Sequence, residues 1–253
     1  RPGAAPTPPF GRGRAGADAF AKWDLGGYQF DLGGTNTGQL YEQDGRGIII
    51  TAGNVGELLP SIARAGARII AADQGMVHAA ALGVTPELWV GDFDSAGSEL
   101  TAQYRHVPRN QHPAEKDATD GAIAIDAALG LGAGEIVMVG GMGGQADHML
   151  GHFGQVLELA RRGIGGLMTS GDEEAYPLLP GARALDLPAG SRLSIIPFSD
   201  LAGLDLAGVR WPLVGRQVPL GSTLTISNIV SGAVEIGLAE GLAVIIAYPA
   251  PAA

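Results

Sequence analysis

The chain has 253 residues, of which 46% are hydrophobic and 17% charged, so it is typical of a well-packed globular protein and not of a disordered one. Its formal charge of −10 argues against nucleic acid as a partner, since that binding needs a basic face. The chain contains no cysteine, which excludes disulfides, zinc–thiolate sites and thiol nucleophiles.

Residues 1–44 begin with a stretch rich in proline, glycine and alanine, without the apolar core of a secretory signal. We therefore predict that they form an extension or arm. Apolar runs such as Leu242–Tyr248 are far shorter than the roughly 20 residues needed to cross a bilayer. We expect a cytoplasmic protein with no membrane segment.

Residues 45–175 alternate short apolar runs with helical segments, which predicts an α/β domain with a Rossmann-like parallel sheet. The predicted strands are Gly47–Ala52, Ala67–Ala72, Leu88–Gly91, Glu135–Gly140 and Gly166–Thr169. The predicted helices are Glu57–Ala65, Met76–Leu82, Asp120–Leu131 and His148–Arg162. Either Thr119 or Asp120 is expected to cap the third helix.

Residues 176–253 lose the helical period and carry short β-type segments separated by Gly, Pro and Asp, which predicts an all-β sandwich. The predicted strands are Ser191–Pro197, Val218–Leu220, Ser222–Ser227, Ala233–Leu238 and Leu242–Tyr248. We expect the boundary between the two domains to lie between Gly171 and Gly181.

Two acids, Asp92 and Asp94, directly follow the predicted strand Leu88–Gly91. The carboxyl ends of parallel strands form the ligand crevice of an open sheet, and alternate residues of an extended segment point to one side. The pair is therefore suited to Mg²⁺, which usually takes one or two carboxylates together with substrate phosphates. An isolated Asp-x-Asp is more often a polar turn that closes a strand.

Two further polar loops precede predicted helices. The first contains Lys116, Asp117, Thr119 and Asp120, and offers a phosphate contact and metal ligands as well as a helix cap. The second runs from Gly140 to His148. Its glycines let the backbone approach a phosphate closely, although it matches neither a dinucleotide fingerprint nor a Walker loop.

The order of these loops, together with Ala72-Asp73-Gln74-Gly75, Gly208–Leu213 and Gly221–Asn228, resembles the thiamine pyrophosphokinase family. The resemblance implies an ATP-holding α/β domain, a thiamine-binding β-sandwich domain, and a homodimer with each thiamine site between subunits. It implies Mg²⁺ at Asp92, Asp94 and Asp120. The ATP-binding positions that follow from it are Asp73, Gln74, Lys116, Thr119, Gly143, Gly144, Gln145 and Asp147. Those for thiamine are Trp211, Ser227 and Asn228.

Three positions depart from the family pattern, since Gln74, Gln145 and His152 stand where the family usually has Gly, Arg and Asn. Loss of the Arg removes a forked cation of the kind that binds phosphate bidentately, and Lys116, Arg109 or Arg210 are candidates to replace it.

The predicted reaction is attack of the thiamine hydroxyl on the β-phosphorus of ATP, which gives thiamine diphosphate and AMP. Catalysis is assigned to Asp92, Asp94, Asp117 and Asp120, without a choice of the general base. A diphosphokinase acting on a hydroxymethyl pterin has the same acidic loops, but Trp211 and the pair Ser227-Asn228 favour thiamine. A flat aromatic face such as that of Trp211 suits a cationic heteroaromatic ring. The second alternative is a non-catalytic nucleotide or thiamine sensor.

Overall fold

The structure is a computed structural model that describes residues 22–25, 28–31, 45–53, 55, 67–94, 96–113 and 117–250. The predicted helix Glu57–Ala65 and the predicted ATP-binding residue Lys116 lie outside these ranges. Within them, none of the helices is long and apolar enough to cross a membrane.

Six strands of the first half form a parallel sheet in the order β6-β5-β4-β3-β7-β8. These strands are β3 (Gly45–Ile50), β4 (Arg68–Ala72), β5 (Leu88–Gly91), β6 (Arg109–Gln111), β7 (Ala133–Val139) and β8 (Gly165–Thr169). The central strand β3 carries the run Ile48-Ile49-Ile50, which is buried on both faces, as expected for a parallel strand covered on both sides. Each of the five predicted strands of this half overlaps an observed one, whereas the short β6 was not predicted.

Within the described part of the chain, three α-helices accompany this sheet, namely α1 (Ser98–Gln103), α2 (Asp120–Gly130) and α3 (Ala146–Arg161). The predictions for α2 and α3 are confirmed to within two residues at each end. The predicted helix Met76–Leu82 is wrong, because the chain turns directly after β4 into a 3-10 helix, Asp73–His78, followed by turns. Helix α1 was not predicted, since it is short and its N-cap, Gly97, provides no side-chain cap.

The second half is built from antiparallel strands. They are β9 (Glu174–Leu178), β10 (Gly181–Leu185), β11 (Arg192–Pro197), β12 (Leu201–Val209), β13 (Leu213–Val218), β14 (Asn228–Leu238) and β15 (Ala243–Tyr248). Two further strands, β1 (Lys22–Leu25) and β2 (Tyr28–Asp31), pair with each other, and β1 also pairs with β10. The predicted strand Ser222–Ser227 is wrong, since this segment is a turn in which Ser227 has φ +63°.

The two halves share one mixed sheet, because β8 pairs with β9, β9 with β15, and β15 with β11. Strand β14 then joins β11 to β10 and β12. Side chains of β11 and β15 pack in a common core with side chains of β12 and β14, for example Ile195 and Ile245 together with Leu204 and Ile236. The predicted fold is therefore confirmed in part: a helix-covered parallel sheet leads to an all-β second half, and the same sheet continues through both.

Candidate active site

A cavity of about 280 Å³ lies at the carboxyl ends of β3, β4 and β7. Parallel strands all end at this edge, so the loops that follow them meet there. Its lining residues are Thr51, Ala52, Gly53, Ala72, Asp73, Gln74, Thr119, Asp120, Gly121, Gly140, Gly143, Gly144, Gln145, His148 and His152.

Seven residues predicted from the sequence line this single cavity, although they come from three separate loops. They are Asp73, Gln74, Thr119, Asp120, Gly143, Gly144 and Gln145. Four other predicted residues, Asp92, Asp94, Asp117 and Asp147, are not among its lining residues. Asp117 and Asp147 are both exposed, and the Asp147 carboxylate accepts a hydrogen bond from the His148 amide at 2.9 Å.

Asp73 enters the cavity from the first residue after β4, where its backbone has φ +45°. Few non-glycine residues adopt this conformation, so tertiary contacts must hold it. The loop that follows β5 packs against it closely. A Cβ atom placed on Gly91 would lie 3.2 Å from the Asp73 Cα and 3.4 Å from a carboxylate oxygen. A glycine directly before Asp92 therefore lets the two acidic loops approach each other.

Asp120 is the first residue of α2, and Thr119 is its N-cap. The Thr119 hydroxyl oxygen accepts a hydrogen bond from the Ala122 amide at 3.3 Å, which fixes the start of the helix. The capping role expected of Thr119 or Asp120 thus belongs to Thr119. Both residues line the cavity, so one turn of chain both begins the helix and supplies a carboxylate to the site.

The glycine-rich loop reaches the cavity between β7 and α3. Gly143 and Gly144 have φ +74° and +69°, in the left-handed region that glycine adopts without a steric penalty. The next residue, Gln145, is the N-cap of α3, but its side chain makes no capping hydrogen bond. Consecutive left-handed residues at a helix N-terminus present backbone amides suited to an anion.

His152 is a buried member of the cavity wall that the sequence marked only as a departure from the family pattern. Its Nδ1 lies 2.9 Å from the Gly141 carbonyl oxygen, and because that oxygen can only accept, the ring nitrogen is the donor. Burial lowers the pKa of His152, the hydrogen bond to Gly141 opposes this shift, and the neighbouring His148 adds to it. This hydrogen bond ties α3 to the glycine-rich loop, and the lowered pKa of His152 favours the neutral imidazole.

The segment after β3, Thr51-Ala52-Gly53, was also missed as part of the site. A Cβ atom on Gly53 would lie 2.1 Å from the Gly140 carbonyl oxygen, so this segment and the glycine-rich loop are in direct backbone contact. Its position in the sequence could have predicted this role, because it follows a buried parallel strand, as the loops after β4 and β7 do.

Of the predicted magnesium ligands Asp92, Asp94 and Asp120, Asp120 lines the cavity, and the assignment of all three to Mg²⁺ stays a prediction. Among the described residues, no group of three or more His, Asp or Glu side chains is placed to hold a metal ion. The Asp92 carboxylate accepts a hydrogen bond from the Asp94 amide at 3.2 Å, which fixes the turn between these two acids. Asp73 and Asp120 do share one cavity, and this donor set fits Mg²⁺, which usually takes one or two carboxylates plus phosphate oxygens.

The three predicted thiamine-binding residues meet at a corner of the antiparallel half, outside the cavity lining. The Asn228 amide nitrogen donates to the Trp211 carbonyl at 2.8 Å, and its oxygen accepts from the Trp211 amide at 3.1 Å. Ser227 is the neighbour of Asn228 and donates its amide to the Ser194 hydroxyl at 2.9 Å. Asn228 is buried, whereas 55% of Trp211 is exposed, so the corner fixes the tryptophan backbone and leaves its ring accessible.

Two family models match the chain. Residues 60–165 match the model described as thiamin pyrophosphokinase, catalytic domain, and residues 184–243 match thiamin pyrophosphokinase, vitamin B1 binding domain. The first range contains the lining residues from Ala72 to His152, and the second contains the Trp211 corner.

Individual proteins that resemble this chain in sequence and structure carry the same family name as these two models. The chain is 34% identical over 167 residues to a thiamine pyrophosphokinase of Bacillus subtilis (strain 168), covering 63% of this chain and 76% of that protein. The crystal structure of thiamine pyrophosphokinase from Bacillus subtilis aligns with a TM-score of 0.73 at 25% identity, over 81% of this chain and 99% of the other. That of thiamin pyrophosphokinase from Geobacillus thermodenitrificans aligns with a TM-score of 0.71 at 27% identity, over 82% and 99%.

Proposed function

Because the chain belongs to the thiamin pyrophosphokinase family, we propose that it is an enzyme that makes thiamine diphosphate by moving a diphosphate group from ATP to thiamine, with Mg²⁺. In this proposal residues 45–175 hold the nucleotide and residues 176–253 hold thiamine. A cytoplasmic location remains a prediction.

The observation that carries the proposal is the single cavity at the carboxyl edge of the parallel sheet. Its wall combines two carboxylates, Asp73 and Asp120, with the left-handed glycines Gly143 and Gly144 at the start of α3. Carboxylates suit a metal, and the glycine amides suit phosphate oxygens. A nucleoside triphosphate with its magnesium needs carboxylates for the metal and amides for the phosphates in the same cavity.

In the proposed step, the hydroxyl oxygen of thiamine forms a bond to the β-phosphorus of ATP. The bond from that phosphorus to the oxygen bridging the α-phosphate breaks, and AMP leaves with the bonding electrons, while a carboxylate at this edge of the sheet takes the hydroxyl proton. The chain contributes mainly positioning and charge, as in other phosphoryl transfers. Gly143 and Gly144 hold phosphate oxygens through their amides, and His152 keeps their loop attached to α3.

Asp73 and Asp120 would hold Mg²⁺ from the cavity wall, with Asp92 and Asp94 on the adjoining loop. When bound, the ion would neutralise charge on the phosphate oxygens. Of the cations considered as substitutes for the missing Arg at Gln145, Arg109 lies with its guanidinium 5.2 Å from the centre of the Trp89 ring, and Arg210 lies 5.0 Å from that of Trp211. Neither lines the cavity.

We propose that thiamine binds against the Trp211 ring in a homodimer, at the boundary between subunits. Trp211 is followed in sequence by four other exposed apolar side chains, which are Val214, Leu220, Leu224 and Ile226. In this proposal these side chains and the Trp211 ring form one apolar patch that the partner subunit covers. The cationic thiazolium ring of thiamine would gain a cation–π contact on the tryptophan face.

The test is AMP release from ATP with Mg²⁺ in the presence of thiamine, a hydroxymethyl pterin or no acceptor, with the product identified by mass. We expect AMP and thiamine diphosphate only with thiamine. Turnover with the pterin alone would move the substrate, and binding of ATP or thiamine without any AMP would indicate a sensor.

Asp120→Asn should reduce turnover by about 100-fold or more, because it removes a carboxylate from the cavity while Thr119 still caps α2. Asp126→Asn is the matched control, since Asp126 is an exposed acid on the same helix outside the cavity lining. Equal activity in the two variants would contradict the assignment of Asp120.

A further inference from the structure

Trp89 connects the two loops that carry the predicted acids after β4 and β5. It is fully buried in β5, and its indole N–H donates a hydrogen bond to the Asp73 carbonyl oxygen at 2.8 Å. The other loop contacts the same ring, since the Phe93 ring packs edge-on against it with centroids 5.0 Å apart. Phe93 lies between Asp92 and Asp94, so one side chain contacts both acidic loops.

Both contacted residues have unusual backbone conformations. Asp73 has φ +45° and Phe93 has φ +65°, and neither is glycine. The left-handed region costs a residue with a Cβ atom roughly 1–2 kcal/mol, so it persists only where the surroundings impose it. The indole hydrogen bond fixes the carbonyl of the first residue, and aromatic packing fixes the ring of the second.

Arg109 closes this cluster from the outer side. Its guanidinium carbon lies 5.2 Å from the centre of the Trp89 ring and 5.3 Å from that of Phe93, and its Nη2 donates to the Thr101 carbonyl at 3.0 Å. The tryptophan is thereby held from β6 as well as from its own strand. It does not line the cavity, so any effect on the site must pass through Asp73 or the loop of Phe93.

We propose that Trp89 is a positioning residue for the nucleotide site, which holds the Asp73 loop and the Asp92–Asp94 loop in the backbone conformations that the site requires. This inference rests on the proposed function of that cavity. A hydrophobic core would be filled equally well by another large apolar side chain. The indole N–H adds a directed hydrogen bond to the carbonyl of a cavity residue, which phenylalanine cannot make.

The decisive variant is Trp89→Phe, which retains an aromatic ring and removes the N–H. Tyr104→Phe is the matched control, because Tyr104 is a buried aromatic residue of the same core cluster and does not line the cavity. One hydrogen bond is worth about 0.5–1.5 kcal/mol, so we expect the Kd for Mg-ATP to rise about two- to tenfold in Trp89→Phe and to stay unchanged in Tyr104→Phe. A Kd equal to that of the wild type would overturn the proposal.

Two further measurements separate positioning from a purely structural role. Amide hydrogen exchange in residues 73–78 should accelerate in Trp89→Phe, while exchange in α3 stays as in the wild type. In an Asp73→Asn background, Trp89→Phe should weaken nucleotide binding by a smaller factor than in the wild type, since the carboxylate it positions is gone. Fully additive effects on Kd would contradict action through Asp73.

Measuring Mg-ATP binding and AMP formation separately distinguishes this proposal from the proposed function. If the wild-type protein bound Mg-ATP but made no AMP, the proposed transferase activity would be wrong. The comparison of the Kd for Mg-ATP between Trp89→Phe and the wild type would still test the role of Trp89. If the wild type bound no nucleotide, the role of Trp89 in a nucleotide site would be overturned with it, and faster exchange in residues 73–78 would then report only a structural contact.

Discussion

Gly53→Ala should damage the cavity through a clash between two backbones. The added Cβ would lie 2.1 Å from the Gly140 carbonyl oxygen and 2.6 Å from that of Met142, whereas real Cβ atoms essentially never come within 3.0 Å of a non-bonded heavy atom. Both clashing atoms belong to the backbone, so no change of rotamer relieves them. The segment after β3 and the glycine-rich loop must therefore move apart by about 1 Å.

A shift of this size has a predictable effect on rate. Misplacing a site by about 1 Å can cost about 100-fold, so we expect kcat/KM to fall by about that factor, or about 2.7 kcal/mol. The extra methyl should also lower the free energy of unfolding by about 1–3 kcal/mol, as in other overpacked interiors. Rates of AMP formation are measured with Mg-ATP and thiamine, well below the melting temperature of each variant.

Gly154→Ala is the matched control, because it makes the same chemical change on the exposed side of α3, where an added Cβ meets nothing within 4 Å. It should keep wild-type activity and gain up to about 1 kcal/mol of stability, since alanine favours a helix over glycine. If Gly53→Ala retained kcat/KM within threefold of the wild type, the close approach of the two loops would not shape the site.

Three further variants test other parts of the molecule. Trp211→Ala should raise the KM for thiamine about 3- to 30-fold through the lost ring contact, without changing the KM for ATP in steady-state assays. Burial lowers the pKa of His152 below 6.5, so below pH 6.5 the unfolded state binds more protons than the folded state. The resulting stability is fully present above pH 6.5 and is lost as the pH falls through the lower folded-state pKa. His152→Asn should therefore weaken the fall of the melting temperature below pH 6.5, and an unchanged pH profile would exclude this residue as its cause. Arg46 is buried and its Nε lies 3.0 Å from the Glu135 carboxylate. Glu135→Gln removes this ion-pair partner and should lower the free energy of unfolding, measured by urea denaturation, by about 3–5 kcal/mol.

The sequence predicted the parts of the fold that are continuous apolar segments with clear ends. The isoleucine run of β3 and the apolar segment of α2, which begins at the Thr119 cap, identify elements without tertiary information. Strand β12 (Leu201–Val209) was missed for a physical reason, since register shifts interrupt its pairing and Gly203 and Gly208 have φ +64° and +73°. These irregularities break the alternation by which a strand is recognised.

The reverse error occurred at Ser222–Ser227, where alternating apolar residues suggested a strand. Leu224 and Ile226 are instead exposed, at 51% and 46%, in a turn beside the Trp211 corner. An alternating pattern reports that side chains are apolar, but not whether the chain itself or another molecule covers them. The same limit applies to the site, where loops at strand ends were predictable, but His152 and Gly53 act through packing between distant segments.

The cavity that contains Asp120 and the Trp211 corner are two predicted half-sites, one for the nucleotide and one for thiamine. The reaction must bring their two substrates together. Attack on phosphorus needs the thiamine hydroxyl within about 3–3.5 Å of the β-phosphorus, yet Trp211 and Asn228 do not line the cavity that contains Asp120. If the Trp211 corner of one subunit completes the cavity of its partner, specific activity should fall on dilution through the dimer dissociation range, whereas ATP affinity per chain should not. At a thiamine concentration well below the KM of Trp211→Ala, mixing this variant with Asp120→Asn should then raise the activity above that of either variant alone, because mixed dimers contain one intact composite site. No recovery on mixing, in a sample shown by mass to contain mixed dimers, would indicate that both half-sites belong to one chain.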